Sequence, residues 1–361
     1  MKDKVTLMKG NEALAMAMIR YGADGYFGYP ITPQSEVLEK LEEEMPWDTT
    51  GMVVLQAESE VAAINMVYGG AMTGKAVCTS TSSPGFSLMQ EGVSYLAASE
   101  VPALLINVQR GGPGLGTIHA SQADYFQACK GGGHGDYHMI VLAPSSVQEM
   151  ADMVALGFDL AFKYRCVSMI LADGTIGQLM EKVILPEQRP RRTDDEIRKQ
   201  CPWAVNGRKG MRPSNVVTSL ELDDDKMEEN NWRFQACYRE IEKNETRCEL
   251  IDVEDCDYLI TAFGTTARVA MKTMELARAE GIKVGMFRPI TLWPFPEKQL
   301  RDAAKNVKGI LCVELNAGQM VEDVKLAVEC KMPVEHYGRF GGNVPTPDEL
   351  LNVLIEKLIN K

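Results

Sequence analysis

The stretch Gly28-Tyr29-Pro30-Ile31-Thr32-Pro33 decides the fold class of this chain. Aromatic residues lead into it from Tyr26, as at the end of a buried strand, and its two prolines restrict the backbone between them. We expect Pro33 to start a helix that Thr32 caps. A hydroxyl group on a strand-to-helix turn lies where open α/β sheets bind ligands, although the pattern alone favours a plain helix cap. The apolar residues expected on the buried face of this helix are Val37, Leu38 and Leu41.

Composition and charge are those of a globular protein. The 361 residues are enough for two domains with separate cores, and 45% hydrophobic against 24% charged residues are ordinary values. The net charge of −12 argues against nucleic acid and anionic membranes as partners. Residues 1–5 lack the apolar core of a signal peptide, and no apolar run reaches the length of a membrane span, so we expect a cytoplasmic protein.

The nine cysteines and four histidines show no metal-site spacing. No Cys-x-x-Cys pair occurs, and several cysteines lie in apolar strands, which indicates reduced thiols packed as small hydrophobic residues. Since iron–sulfur motifs group their cysteines, we expect no cluster and no metal ligated by this chain.

Short β-rich runs alternate with helical stretches through the first half, which predicts a mainly parallel sheet covered on both faces. The predicted strands are 25–29, 52–55, 76–79, 103–108, 139–142 and 167–171. The predicted helices are 33–44, 60–70, 86–98 and 146–163.

Residues 187–256 differ from the rest in having several prolines, a basic cluster, an acidic run and little apolar periodicity. We interpret them as a connecting segment over the surface, with one helix at 230–243.

A second α/β unit follows. The predicted fold class is thus α/β with two domains, a parallel-sheet domain at 1–186 and a smaller one at 257–361. The elements predicted in the second unit are strands 258–262, 284–287 and 310–314, a helix at 267–280 and a helix after 345.

Three more stretches follow β-rich runs and open a helix or a glycine loop. They are Gln56-Ala57-Glu58-Ser59-Glu60, Ser82-Ser83-Pro84-Gly85 and Asn107-Val108-Gln109-Arg110-Gly111-Gly112. With the first stretch they resemble the α subunit of the 2-oxoacid:ferredoxin oxidoreductases, thiamine-diphosphate enzymes that oxidise 2-oxoacids to acyl-CoA. The resemblance is strong over 1–186, good from 258 to the end, and nearest to the branched-chain (2-oxoisovalerate) branch. It implies a pyrimidine-type thiamine-diphosphate-binding domain followed by a domain similar to the C-terminal part of transketolases.

Glu60 begins a helix with a largely apolar face. Partial desolvation there favours the protonated acid, whereas an acid in the first turn also stabilises the helix dipole, as Glu58 does equally well. By resemblance, Glu60 is the catalytic glutamate that activates the cofactor by hydrogen-bonding its aminopyrimidine ring. The role of Glu58 stays open.

Arg110 leads into the glycine loop 111–117, where backbone and ligand can approach closely. A guanidinium can hold a carboxylate by two parallel hydrogen bonds, although the glycines alone also fit a surface arginine. The resemblance places Arg110 and Thr32 against the carboxylate and carbonyl of the 2-oxoacid, as catalytic and substrate-binding residues.

Further residues are assigned to the cofactor pocket by resemblance. Pro30 lies beside the aminopyrimidine, and Ser83, Pro84 and Gly85 line the same pocket, although such a turn is more often only a helix start. Asp124 belongs either to the loop of the site or to the solvated surface.

The Gly-Asp-Gly motif with a following Asn-Asn pair, which binds diphosphate and Mg²⁺ in thiamine enzymes, is absent. By resemblance, this chain is the pyrimidine-side half of a divided enzyme. A β subunit would carry the diphosphate and Mg²⁺ site, and γ and ferredoxin-like δ subunits would complete a complex in which partner subunits hold the iron–sulfur clusters. Coenzyme A, ferredoxin and a 2-oxoacid would be the other partners.

Two alternatives remain at this point. One is a 2-oxoglutarate-specific relative, which would need a second basic group near Arg110. The other is a non-catalytic subunit of the same fold, although Glu60 and Thr32 are both present. In the second domain, stretches 287–294 and 314–319 match the family and are interpreted as turns and subunit packing, with Trp293 and Phe295 as interface anchors.

Overall fold

Strands and helices alternate through the first half of the chain. The structure is a computed structural model that describes residues 5–208, 210 and 212–360. Residues 1–4, which were part of the argument against a signal peptide, lie outside the described residues. The elements of this half are β1 (Val5–Lys9), α1 (Gly10–Tyr21), β2 (Gly25–Gly28), α2 (Ser35–Glu44), α3 (Pro46–Thr49), β3 (Val53–Gln56), α4 (Glu60–Met72), β4 (Val77–Thr81), α5 (Ser83–Ala98), β5 (Ala103–Gln109), α6 (Tyr125–Cys129), β6 (Ile140–Leu142), α7 (Val147–Tyr164), β7 (Val167–Asp173), α8 (Gly174–Gln178) and β8 (Met180–Ile184).

Six of these strands form a sheet in the order β3-β2-β4-β5-β7-β6. Every neighbouring pair among them runs parallel. The central strands β5 and β7 are buried along their whole length, as expected when helices cover both faces. The predicted parallel sheet is confirmed, and each predicted strand is present with ends shifted by at most two residues.

The first elements of the chain were missed by the sequence analysis. β1 pairs with β8 as a separate antiparallel ribbon. α1 is buried over most of its surface, and its polar Asn11 is buried as well, so it lacks the clear polar face by which a helix is recognised.

The connecting segment carries α9 (Asp194–Gln200), α10 (Asp224–Asn244) and β9 (Cys248–Ile251). The predicted helix is confirmed and is longer than expected. The basic cluster holds the segment to the first sheet, because the Arg191 guanidinium donates to the buried Asp24 carboxylate at 2.9 and 3.1 Å. The proposed domain limits stay a prediction.

The second unit is a smaller α/β layer. Its elements are β10 (Tyr258–Ala262), α11 (Gly264–Ala279), β11 (Val284–Pro289), β12 (Thr291–Trp293), α12 (Glu297–Ala303), β13 (Gly309–Glu314), α13 (Met320–Ala327), β14 (Val334–Gly338) and α14 (Pro347–Leu354). The sheet has the order β14-β13-β10-β11-β9, with only β9 antiparallel to its neighbour. A π-helical turn at Ile355–Ile359 follows the last helix.

The two units are joined by polar and aromatic contacts. β12 leaves the second unit and pairs with β6 at the edge of the first sheet. Arg288 donates two hydrogen bonds to Glu149 of α7, at 2.7 and 3.0 Å. The expectation that Trp293 anchors a subunit interface is wrong, because its ring is buried within the chain and stacks on His138 with centroids 4.5 Å apart. Phe295 is half-buried against Phe287.

Candidate active site

The turn after β2 does not form the helix start that the sequence predicts. α2 begins at Ser35, so Thr32 lies outside it and caps nothing. The physical reason is that the carbonyl oxygens of Thr32 and Pro33, which a helix starting there would use, accept hydrogen bonds from distant side chains. The expected buried face of the helix, formed by Val37, Leu38 and Leu41, is confirmed.

Buried polar side chains hold this turn in place. Asn11 of α1 donates to the Pro33 carbonyl at 2.6 Å, and Gln178 donates to the same oxygen at 3.0 Å. Gln34 is fully buried and accepts from the Ser80 hydroxyl at 2.6 Å. The sequence analysis missed these residues, although a polar residue inside an apolar strand or helix, such as Ser80, is a signal for them.

Pro30 and Thr32 both face solvent at the surface of the turn. The Thr32 hydroxyl makes no hydrogen bond within the described residues, so only its main chain is tied down. It lines a cavity of about 550 Å³ together with His119 and Gly174. The hydroxyl is therefore available to a ligand.

Glu60 and Glu58, whose role the sequence left open, have opposite environments. Ser59 caps α4 by accepting from the Ala62 N–H at 3.2 Å, and this places Glu60 on the inner side of the first turn, 6% exposed. Glu58 is exposed and accepts from the Ser59 hydroxyl at 3.0 Å. The Glu60 carboxyl receives no hydrogen bond from residues 5–208, 210 or 212–360, so its oxygens are free for a ligand.

Gly85 lies against the Glu60 carboxyl. A Cβ atom at position 85 would come within 2.6 Å of Glu60 Oε1 and 2.2 Å of Thr81 Oγ1. The missing side chain thus creates the space in which the carboxyl lies. Two predicted site residues from different stretches are therefore adjacent.

Ser83, Arg110 and Asp124 form a second group. The Ser83 hydroxyl accepts from the Arg110 main-chain N–H at 3.0 Å and donates to Asp124 Oδ2 at 2.6 Å. Asn107 donates to the same carboxylate oxygen at 2.9 Å. Burial raises the pKa of Asp124, against the opposing effect of these hydrogen bonds from Ser83 and Asn107. Asp124 is thus buried beside Ser83 and Asn107 rather than solvated.

The Arg110 side chain is 8% exposed and reaches across to the first turn. Its Nη1 donates to the Thr32 carbonyl at 2.8 Å, and its Nη2 donates to the Leu115 carbonyl in the glycine loop at 3.0 Å. Its Nε is buried and has no partner among the described residues. The guanidinium therefore retains donors for a carboxylate.

Ser83, Arg110 and Asp124 line a cavity of about 390 Å³ at the junction of the two units. Its other wall comes from the second unit through Asn316 and Gln319, which the sequence analysis did not assign to the site. A larger cavity of about 820 Å³, beside Trp293 and α10, contains none of the predicted site residues. No three His, Cys, Asp or Glu side chains of the described residues are grouped as metal ligands.

Comparisons with known proteins agree with this arrangement. The family model "Pyruvate flavodoxin/ferredoxin oxidoreductase, thiamine diP-bdg" matches residues 16–244, and "Pyruvate:ferredoxin oxidoreductase core domain II" matches residues 256–350. The ketoisovalerate oxidoreductase subunit VorB of Methanothermobacter marburgensis is 47% identical over 97% of each chain. The chain belongs to the 2-oxoacid:ferredoxin oxidoreductase family. It is thus a subunit of an oxidoreductase with a thiamine-diphosphate-binding domain.

Other members of the 2-oxoacid:ferredoxin oxidoreductase family are more distant. The 2-oxoglutarate synthase subunit KorA of the same organism is 34% identical over 96% of this chain and 98% of its own. The 2-oxoglutarate:ferredoxin oxidoreductase from Magnetococcus marinus, solved with 2-oxoglutarate, coenzyme A and succinyl-CoA bound, is 29% identical with a TM-score of 0.84. That match covers 99% of this chain, which spans 65% of the Magnetococcus chain.

The fold is also shared outside the family. A split-gene transketolase has a TM-score of 0.60 at 12% identity over 98% of each chain, a likeness of fold alone. The predicted fold class is confirmed. In the part of the chain that the structure describes, helices with the length and apolar character of a membrane span are not found.

Proposed function

We propose that this chain is the subunit that provides the pyrimidine side of the thiamine-diphosphate site in an enzyme for branched-chain 2-oxoacids. The reaction converts one 2-oxoacid, one coenzyme A and two oxidised ferredoxins into acyl-CoA, carbon dioxide, one proton and two reduced ferredoxins. The names of the 47%-identical relatives, ketoisovalerate oxidoreductase subunits, support this substrate class.

The observation that carries the proposal is the Glu60 carboxyl, which is buried in the space left by Gly85 and has no hydrogen-bond partner among the described residues. This arrangement fits the aminopyrimidine ring of thiamine diphosphate, which needs a carboxylic acid at its ring nitrogen. When bound, the cofactor supplies the carbon nucleophile that attacks the 2-oxoacid. Glu60 holds the proton at that ring nitrogen, and Pro30 and Ser83 line the pocket around the ring.

Arg110 and Thr32 are proposed to bind the 2-oxoacid. The free donors of the Arg110 guanidinium fit its carboxylate, and the unbonded Thr32 hydroxyl fits its carbonyl oxygen. The contact between Arg110 and the Thr32 main chain supports this assignment, because it holds the two residues next to each other, within reach of one small molecule.

The substrate class follows from the charges of the junction cavity. Arg110 is the one cationic side chain among the described residues that line it. A dicarboxylic 2-oxoacid would leave its second carboxylate unpaired, which is costly in a partly buried site. A branched aliphatic side chain carries no such penalty.

Partner subunits would provide the rest of the enzyme. We propose that a β subunit holds the diphosphate and Mg²⁺, and that γ and ferredoxin-like δ subunits complete a complex in which the iron–sulfur clusters lie on partner chains. The absent Gly-Asp-Gly motif and the mostly buried, unpaired cysteines support this division.

The test is viologen reduction by the chain purified with and without its partner subunits. The complex should reduce viologen with 2-oxoisovalerate, coenzyme A, thiamine diphosphate and Mg²⁺, and the isolated chain should not. Robust activity of the isolated chain would contradict the divided site, and an inactive complex with every 2-oxoacid would contradict the proposed function.

A further inference from the structure

Asp124 uses its carboxylate in an unusual way. It immediately precedes α6, the position where an aspartate commonly caps a helix, yet its side chain makes no hydrogen bond to that helix. Oδ2 instead accepts from the Ser83 hydroxyl at 2.6 Å and from the Asn107 amide at 2.9 Å. Since Ser83 is the first residue of α5 and Asn107 lies in β5, one oxygen joins two elements that both carry site residues.

The contact also orients the Ser83 hydroxyl. A serine hydroxyl has a single proton, and while that proton points to Asp124 Oδ2, the oxygen lone pairs are left for the Arg110 N–H at 3.0 Å. Without the carboxylate, the proton can turn to the Arg110 carbonyl oxygen, which is 3.2 Å away. Removing Asp124 would therefore change the hydrogen bonds between Ser83 and the Arg110 main chain, which is also bridged to Ala120 on its other side.

The position of the Arg110 main chain matters because it sets where the guanidinium lies at the far end of a long side chain. Its main chain lies at the end of β5, and its guanidinium reaches the carbonyls of Thr32 and Leu115. A small rotation of the main chain at 110 is amplified along the side chain. Asp124 forms no salt bridge within the described residues, so its hydrogen bonds to Ser83 and Asn107 are the contacts that hold the carboxylate in place.

We propose that Asp124 is a positioning residue for the 2-oxoacid: it orients the Ser83 hydroxyl, which fixes the main chain of Arg110 and so the guanidinium that binds the substrate carboxylate. The inference rests on the proposed role of Arg110 and extends it to a residue without a charge partner in the described chain. It predicts an effect on 2-oxoacid binding that is separate from cofactor binding.

The experiment is a double-mutant cycle in the reconstituted complex, with Asp124→Ala, Ser83→Ala and the combination. Each single variant should lower kcat/KM for 2-oxoisovalerate by about tenfold or more, mainly through KM. In Asp124→Ala, KM for coenzyme A and the affinity for thiamine diphosphate should change little. The kcat/KM of the double variant should equal that of the more impaired single variant, because both substitutions break the same chain of contacts from Asp124 through Ser83 to Arg110.

Two further variants separate positioning from folding. Asp124→Asn keeps an oxygen acceptor for Ser83 and should recover part of the loss, and Asp136→Ala, an exposed acid in the next loop, should behave as wild type. Normal KM for 2-oxoisovalerate in Ser83→Ala, or additive losses in the double variant, would overturn the inference while the wild-type complex stays active. If the wild-type complex is itself inactive with every 2-oxoacid, the proposed function falls and the inference falls with it.

Discussion

The Arg110 guanidinium donates a hydrogen bond from Nη1 to the main-chain carbonyl oxygen of Thr32 at 2.8 Å. The bond joins the end of β5 to the turn after β2, although the two residues are 78 positions apart. It uses the carbonyl of Thr32 and leaves the hydroxyl unbonded within the described chain. The contact therefore holds the two residues together while it leaves the Thr32 hydroxyl and the remaining N–H groups of the guanidinium for the 2-oxoacid.

Arg110→Ala should impair 2-oxoacid use and leave cofactor binding nearly unchanged. Loss of charge-assisted hydrogen bonds costs about 1.5–3 kcal/mol, or about 10- to 150-fold in kcat/KM. Arg110→Lys should be impaired too, because an ammonium group lacks the planar pair of donors. The control is Arg233→Ala, which removes an exposed ion pair with Glu100. Normal kinetics of Arg110→Ala with every 2-oxoacid would mean that the loop is only structural.

Thr32→Val tests the hydroxyl separately from the main-chain contact. Because Arg110 binds the carbonyl, the substitution should keep that hydrogen bond and the melting temperature of the complex. kcat/KM for 2-oxoisovalerate should fall by about tenfold, the effect of one lost hydrogen bond. Steady-state kinetics with a thermal melt measure both quantities, and unchanged kinetics would remove Thr32 from the site.

The complex should prefer aliphatic branched 2-oxoacids over 2-oxoglutarate. A cavity for an apolar side chain discriminates weakly between neighbours that differ by one methylene, so 2-oxoisovalerate and 2-oxoisocaproate should differ by less than about 200-fold in kcat/KM. 2-Oxoglutarate should be poorer, because Arg110 is the one cation that the described cavity wall offers. A higher kcat/KM for 2-oxoglutarate would contradict the substrate class and leave the role of Glu60 intact.

Glu245 should make the chain less stable in acid. Burial opposes its ionisation, but hydrogen bonds from Lys163, Tyr164 and Arg247 outweigh burial and lower its pKa from 4.5 to about 2. Because the folded-state pKa is depressed, this stabilisation is present above pH 4.5 and is lost as pH falls from there towards 2.

The variant Glu245→Gln should lower stability by about 1–3 kcal/mol at neutral pH. Thermal unfolding followed against pH should show the gap between wild type and variant closing below about pH 4. Glu242→Gln, an exposed neighbour in α10, is the matched control. A gap that stays constant down to about pH 2 would contradict the depressed pKa of Glu245.

The parallel sheet was predictable because strands buried on both faces are continuous apolar runs, as in β5 and β7. Parallel strands place their carboxyl ends at one edge of the sheet, and the stretches that follow them meet there. Ser83 and Arg110 do so directly, and Glu60 meets Gly85.

Contacts between residues far apart in sequence were not predictable. Thr32 has the sequence pattern of a helix cap, and only the packed structure shows that Arg110 and Asn11 take the carbonyls that a helix start would need. Asp124 also has the sequence pattern of a helix cap. Tertiary packing brings Ser83 to its carboxylate, which accepts a hydrogen bond from Ser83 and none from the N–H groups of α6. Trp293 is of a residue type that often anchors interfaces, but its stacking partner His138 lies in the same chain.

The central claim is that Glu60 supplies the acid for the thiamine cofactor. The most direct measurement is the rate of hydrogen–deuterium exchange at the thiazolium C2 of thiamine diphosphate bound to the reconstituted complex, for wild type, Glu60→Gln and Glu58→Gln. Glu60→Gln should slow exchange by about 100-fold or more with the complex intact, and the exposed Glu58→Gln should exchange at the wild-type rate. Near-normal exchange in Glu60→Gln, or slow exchange only in Glu58→Gln, would contradict the account.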